Sequence, residues 1–347
     1  MGLELGFAIS FLSFITCILI ASFIGKTKYF SFILERKNRF GSIDGVRGYL
    51  AISVFFHHFV ITYYWKTENK WQRPPEDLFQ NFGKVGVAIF FMITGFLFFS
   101  RIIDKNKTLN WVSLYQSRMF RIYPLYLFAI CNITFIVLYS SEFQINVSFL
   151  YLLKDYMKWF LFIGGPINQF SDTKNIIASV DWTLTYEWVF YFSLPLIFIV
   201  NRVIGKWGLV CIAVLSVFLF YRPIYVSYFS SAYFIYFALG SIAYYFTEKF
   251  KGAIKRKNNS MSFLSLALVV FLLVYPKTLD SIHVVVMSIL FVIIASGCNM
   301  FGVFSSRGSI VLGEISYSIY LLHGIVLYLL FTIWSPLQIA EYSIEEF

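Results

Sequence analysis

Long uncharged apolar runs follow one another from one end of this chain to the other, and no other feature constrains its fold as much. A helix needs about 20 apolar residues to cross the hydrocarbon core of a bilayer. Stretches near 3–25, 45–64, 83–103, 122–140, 184–200, 207–221, 228–247, 261–275, 281–300 and 311–334 approach or reach that length. Of the 347 residues, 59% are hydrophobic and only 13% charged, against roughly a quarter charged in soluble domains. The gaps between runs are too short to build a water-soluble core. The expected fold is all-α, a polytopic membrane bundle of about ten helices. Segment 146–165 is apolar but carries Lys154, Asp155 and Lys158; it is either an eleventh span or a helix lying in the interface, and it decides the parity of the topology.

A net charge of +10 does not point to nucleic acid here, because the basic residues cluster in a few short gaps between the apolar runs. Lys26, Lys28, Arg36, Lys37 and Arg39 crowd one gap; Arg101, Lys105, Lys107, Arg118 and Arg121 another; Arg202 and Lys206 a third; Lys249, Lys251, Lys255, Arg256 and Lys257 a fourth. With Arg307 they are about two-thirds of all basic residues, and the positive-inside rule makes that side cytoplasmic. The opposite gaps, 65–82 and 165–183, carry Trp, Pro, Gly and Asn and face outward. Met1-Gly2-Leu3-Glu4 lacks the basic start of a cleavable signal. The organisation expected is an extra N-terminal helix with a basic linker over 1–40, a membrane domain over 41–335 and a short tail over 336–347. Cys17, Cys131, Cys211 and Cys298 show no metal or disulfide spacing and read as buried small hydrophobes.

Ionisable groups within membrane segments are costly and mark function by default. They are few: Asp44, Arg47, His57, His58, Glu187, His283 and His323. Arg47 and His58 are eleven residues apart, which returns to nearly the same helix face about 16 Å further along, whereas His57 points about 100° away. Either that face carries a cation near the cytoplasm and a reactive imidazole deeper in, or Arg47 merely snorkels and pairs with Asp44 while the histidines bond neighbouring helices. Counting helical rise from the basic side puts His58, Glu187 and His323 at similar depth, roughly 21–24 Å. For Glu187 a carboxylate near the outer interface, and for His323 a structural histidine, are the alternatives. His283 closely follows a loop and reads as interfacial. Arg118 and Arg121 share a face at a helix entrance; such a pair suits phosphates, which guanidinium forks bind bidentately, or else is a stop signal that meets lipid headgroups. No zinc motif, nucleophile elbow, P-loop or dinucleotide fingerprint occurs.

Five short motifs follow in order. They are Asp44-Gly45-Val46-Arg47-Gly48 with His58; Phe90-Phe91-Met92-Ile93-Thr94-Gly95-Phe96; Arg118-Met119-Phe120-Arg121-Ile122-Tyr123-Pro124; Trp182-Thr183-Leu184-Thr185-Tyr186-Glu187-Trp188-Val189-Phe190-Tyr191; and Gly313-Glu314-Ile315-Ser316-Tyr317-Ser318-Ile319-Tyr320-Leu321-Leu322-His323. Together they resemble the acyltransferase-3 family of membrane-bound acyl-CoA:glycan O-acyltransferases, with Thr94 and Thr183 where the family more often has serine. The resemblance implies a bacterial multi-pass protein of the cytoplasmic membrane. It implies acetyl-CoA as donor, no metal, and a hydroxyl of an envelope glycan or lipid-linked saccharide as acceptor. It raises Arg47, His58 and Glu187 in particular, and the mechanism expected from it has Arg47, Arg118 and Arg121 binding donor phosphates, His58 as catalytic base or nucleophile, and Glu187 or His323 orienting it. Besides substrates, membrane lipids are the expected partners, with no nucleic acid. The rival reading is a transporter or flippase, whose buried charges would line a path; no internal repeat or broken helix pair supports it.

Overall fold

A backbone surrounded by apolar side chains must pair its own N–H and C=O groups, and helix does this within one segment. The structure, a computed structural model, describes residues 3–28, 41–103, 109–226 and 229–334. Arg36, Lys37, Arg39, Lys105, Lys107 and the tail at 336–347 lie outside these residues, as do the side chains of Lys206 and Lys251. The helices are α1 (Leu3–Ile24), α2 (Gly41–Glu68), α3 (Asp77–Ile102), α4 (Trp111–Ser140), α5 (Phe149–Phe160), the one-turn α6 (Thr173–Ile176), α7 (Trp182–Ile204), α8 (Lys206–Tyr221), α9 (Phe234–Arg256), α10 (Asn258–Val274), α11 (Ser281–Ala295), α12 (Arg307–Glu314) and α13 (Ser316–Tyr328), which continues as π-helical turns over Leu329–Trp334. Among the described residues the strands amount to one antiparallel pair, Tyr225–Val226 with Phe229–Ser230.

Among the described residues four helices are both long and apolar enough to cross a membrane: α3, α4, α7 and α13 with its π-helical extension. The count of about ten spans is therefore not reproduced. The helices α8, α10 and α11, at 16, 17 and 15 residues, fall short of 18, while α1 and α2 have the length at 22 and 28 residues, α2 with Asp44, Arg47, His57 and His58 within it. Segment 146–165 is not a span. Its helix, α5, has 12 residues, about 18 Å at 1.5 Å per residue against a core of about 30 Å. The stretch 311–334 is divided between α12 and α13. Of the cysteines only Cys298 is fully buried; Cys131 and Cys211 are exposed.

The chain forms two units, the first from described residues within 1–60, 73–105 and 197–317, the second from those within 61–72, 106–196 and 318–347. The first is organised around the crossing of α3 and α9. Gly95 there faces the Phe237 carbonyl and Gly240 the Met92 carbonyl, each so closely that a Cβ would run into backbone. Small residues at such crossings let helices approach where no hydrophobic force drives them together. Ser241 Oγ donates to the carbonyls of Phe237, at 2.9 Å, and Gly95, at 3.3 Å, and the Phe91 ring stacks on Phe237 with centroids 4.6 Å apart. Buried Asn81 donates through Nδ2 to the carbonyls of Leu273 and Tyr275, satisfying acceptors left open where α10 ends.

In the second unit α4, α5, α7 and α13 surround the irregular segment 161–181. Flanking helices bond its backbone at two points, Trp159 Nε1 donating to Gly165 O at 3.0 Å and Thr185 Oγ1 to Phe162 O at 3.0 Å. Just before it, the end of α5 is held by Tyr126 Oη on Trp159 O at 2.8 Å and Tyr123 Oη on Phe160 O at 3.1 Å. Ile176, Ile177, Ala178 and Val180 are buried, as are the polar side chains of Asn168, Thr173 and Asp181. The segment is a plug folded in among these helices, with Thr173 turned toward its own backbone, Asn168 toward the approach to α5 and Asp181 toward Lys174.

The glycine crossing has a direct consequence. Gly→Ala inside a helix normally stabilises by about 0.4–1 kcal/mol, and Gly252→Ala in α9, where a Cβ would meet nothing within 4 Å, should raise the melting temperature in detergent. Gly240→Ala on the same helix should lower it, by the roughly 1–3 kcal/mol of an overpacked contact. Equal shifts for the two variants would contradict the crossing.

Candidate functional site

Arg47 and His58 lie in the first unit on one unbroken helix, α2, so the same-face relation expected from eleven residues is preserved. Arg47 Nη1 is 3.9 Å from Asp44 Oδ1 and both side chains are partly exposed; the i,i+3 pair foreseen from the sequence is present, at the long end of ion-pair distance. Gly313 of α12 packs on the Asp44 carbonyl with no room for a Cβ. This fixes the start of α2 and accounts for two motif glycines, since Gly48 in turn faces Leu312. His57 Nδ1 lies 2.8 Å from the Phe79 carbonyl, tying α2 to α3 as a structural histidine does. His58 Nδ1 lies 3.0 Å from the carbonyl of Val54, one turn back. A carbonyl can only accept, so Nδ1 carries the proton and the lone pair of the neutral ring is on Nε2.

The second unit holds the other four residues. Arg118 and Arg121 do not stand at a helix entrance: α4 begins at Trp111, so they lie seven and ten residues in. Phe120 on the same turn is exposed while Arg118 is partly buried. Tyr115, one turn earlier, donates through Oη to the Tyr191 carbonyl at 3.2 Å, joining α4 to α7. Tyr191 Oη donates to Glu187 Oε2 at 2.9 Å, and the charges of Arg118 and Arg121 act on the Tyr191 hydroxyl. A phenol and a carboxylate are thereby joined on α7 where Tyr115 ties it to α4, the helix that carries partly buried Arg118 and exposed Arg121. The sequence motif contains Tyr191, and its i,i+4 spacing from Glu187 already places the two on one face; the bond between them is a role that the sequence reading did not assign.

His323 of α13 is buried and repeats the pattern of His58. Its Nδ1 lies 3.0 Å from Ile319 O, one turn back, so Nε2 again carries the lone pair. Beside it, Gly324 packs against the backbone of Ile177 and Ala178 in the plug. Tyr320 Oη lies 2.8 Å from Thr183 Oγ1, linking α13 to α7, and the charge of Glu187 reaches this phenol. α7 and α13 thus bring Glu187 and His323 into one neighbourhood through Thr183 and Tyr320, a hydroxyl pair separated by 137 residues that no local pattern could reveal. His283 differs from the other histidines. It is fully buried rather than interfacial, accepts from Leu279 N at Nδ1 and donates from Nε2 to Leu272 O, so both nitrogens serve the α10–α11 connection. Among the described residues no group of three or more His, Cys, Asp or Glu could hold a metal ion.

Asp181 precedes the motif of α7 and has no exposed surface. Lys174 Nζ is 3.6 Å from its Oδ2, and neither oxygen reaches a hydrogen-bond partner. Gly164, at φ +64, makes room for the pair: a Cβ there would lie 2.5 Å from both Asp181 Oδ2 and Lys174 Cε. Burial outweighs the opposing lysine charge and pushes the carboxyl up to about 6.

The acyltransferase-3 family model, described as an acyltransferase domain, matches residues 40–344. ORF330 of Acidianus two-tailed virus, a protein named as an acetyltransferase by inference, is 26% identical over 342 residues, which cover 94% of this chain and 95% of the relative. No solved structure matches the chain significantly.

The Asp181 carboxyl makes stability depend on pH with a defined sign. Its folded value lies above the usual 3.8, so between about 4 and 6 the folded state holds more protons than the unfolded one, and stability falls as pH rises through that window. The full difference is on the order of 3 kcal/mol. Melting of wild type and Asp181→Asn in detergent from pH 7 to 5 should therefore show wild type gaining stability relative to the variant. Parallel curves would mean that the carboxylate is charged throughout.

Proposed function

The chain belongs to the acyltransferase-3 family and is a membrane acyltransferase, and from that premise we propose that it moves an acetyl group from cytoplasmic acetyl-CoA to a hydroxyl of a cell-envelope glycan. The setting we propose is a bacterial cytoplasmic membrane, crossed several times, with the basic gaps on the inner side. The observation that carries the mechanism is the His58 ring, held through Nδ1 by the Val54 carbonyl. An imidazole so held presents a basic Nε2 without needing a carboxylate to orient it. The donor supplies a thioester whose carbonyl carbon accepts the attacking oxygen and whose thiolate leaves.

In this reading Nε2 of His58 takes the proton from the acceptor hydroxyl as the oxygen attacks, then returns it to the departing sulfur. Arg118 and Arg121 hold donor phosphates, for which paired guanidinium groups are suited. Arg47 adds positive charge on the His58 face of α2, partly offset by Asp44. Glu187, bonded by Tyr191, balances the two arginines and sets their side chains. His323, with the same tautomer as His58, is a further catalytic residue in this reading.

Purified protein in detergent, given labelled acetyl-CoA and envelope glycans from a strain lacking the gene, should place label on glycan. His58→Ala should lower kcat by about 10²–10⁴, the usual contribution of general-base catalysis. Arg118→Ala should instead raise KM for acetyl-CoA by about tenfold or more, as expected for loss of charge-assisted hydrogen bonds. Full turnover in His58→Ala would remove the histidine from the chemistry, and an unchanged KM in Arg118→Ala would remove the arginine from donor binding.

A further inference from the structure

Outside the groups used above, the second unit contains a cleft of about 430 Å³ between the start of α5 and the plug, within the roughly 300–1,000 Å³ of small-molecule sites. Its walls are held by the backbone ties already described and by one more. Asn168, buried and at φ +55, accepts from Asn146 N at 2.7 Å and donates to Gln144 O at 2.8 Å, pinning the approach to α5 onto the plug. The lining includes Asn146, Ser148, Tyr151, Asp155, Lys158 and Gln169.

The chemistry of that lining is selective. Two amides and a hydroxyl supply both donors and acceptors. Asp155 and Lys158 pair at 3.6 Å, so the cleft has no net charge to attract a phosphate or a carboxylate. Tyr151 is 66% exposed and offers a ring face with a polar tip. Around the cleft the surface is apolar: Phe149 and Leu150 of α5 and Leu161 just beyond its end are each more than 60% exposed. A patch of that kind marks a membrane or binding surface. The ligand that fits is uncharged, rich in hydroxyl groups, and met at a lipid surface.

We propose that this cleft is a subsite for a neutral hexose of the acceptor glycan, with Tyr151 under the ring and Asn146, Gln169 and Asp155 bonding its hydroxyls. The proposal rests on the acyltransferase reading and deepens it. The plug gives the cleft a covalent route to the chemistry, since it runs from Gln169 at the cleft to Ile177 and Ala178, against which Gly324 packs beside His323. Recognition of one sugar unit in the cleft would hold a neighbouring unit of the same glycan near that end of the plug.

The test uses the full chain in detergent and saturation-transfer NMR with methyl glycosides of glucose, galactose, mannose and rhamnose. At least one glycoside should receive saturation from wild type, and the signal should fall about fivefold or more in Tyr151→Ala, in the range for loss of an aromatic contact, and likewise in Gln169→Ala. Both side chains are solvent-exposed, so folding of the variants is checked by an unchanged melting temperature. No transfer from any glycoside, or transfer that persists in both variants, overturns the subsite. Displacement of the signal by inorganic phosphate or by phosphatidylglycerol bicelles, but not by phosphatidylcholine bicelles, overturns it in favour of an anion or headgroup site. Titration of wild type with acetyl-CoA separates the two readings: donor binding without glycoside binding sinks the subsite alone, and glycoside binding without donor binding sinks the acyltransferase mechanism while the subsite stands.

Discussion

Twenty-one residues, 161–181, hold only one turn of helix yet are packed among apolar helices, and the second unit depends on how their backbone groups find partners. An unsatisfied buried N–H or C=O costs about as much as the hydrogen bond it lacks. Some partners are its own turns, as in Phe170 N to Ile167 O and Ser179 N to Lys174 O; others are side chains, Trp159 on α5, Thr185 on α7 and Thr173 of the plug itself, which accepts from Ile167 N, while Tyr123 and Tyr126 on α4 hold the end of α5 that leads into it. Each bond from a helix also fixes that helix. The separation of α4 from α5 is set by two phenols that reach the end of α5, and the start of α7 is set by a threonine one turn in. Positions 162, 164, 165, 168, 169, 178 and 179 all take positive φ, a density of turns held by bonds within the segment together with those from the helices around it.

The motif residues divide into two physical classes that the sequence presents alike. Gly48, Gly95 and Gly313 are there because backbone lies against them; replacing any of them changes helix spacing, and function would be lost only as a consequence. Arg118, Glu187 and Tyr191 instead form a polar constellation, in which the groups themselves matter and backbone spacing would survive their replacement. A loss of activity on mutating a motif position therefore carries little meaning until it is known to which class the position belongs.

The helices α3, α4 and α7 were legible because apolar composition is continuous along them, as was the helix carrying Arg47 and His58. Their ends were not. Hydropathy falls at Trp111–Arg121 because charged residues occur there, but the hydrogen-bonded helix continues through them, which moved the arginines from an entrance into the helix. The plug was illegible for the opposite reason: Asn168, Thr173 and Asp181 read as loop, and composition cannot tell a polar side chain that faces water from one that turns inward to serve backbone or a half-buried lysine. Glu187 and Tyr191 lie within one turn and their relation could have been read, whereas Thr183 and Tyr320 could not.

His58 and His323 show how a helix can orient an imidazole through its own backbone. The carbonyl four residues back normally accepts from the backbone N–H one turn on, and it has a second lone pair. In both cases the imidazole Nδ1 lies within hydrogen-bond reach of that carbonyl, fixing tautomer and ring plane with atoms that any helix supplies. A catalytic triad achieves the same with a buried carboxylate, at the cost of desolvating a charge, which in a membrane is far greater than in water. Borrowing the backbone removes that cost and also removes the charge that would stabilise the imidazolium. A base held in this way suits a reaction in which the proton is passed on to the leaving group quickly, and thiolate departure provides for that.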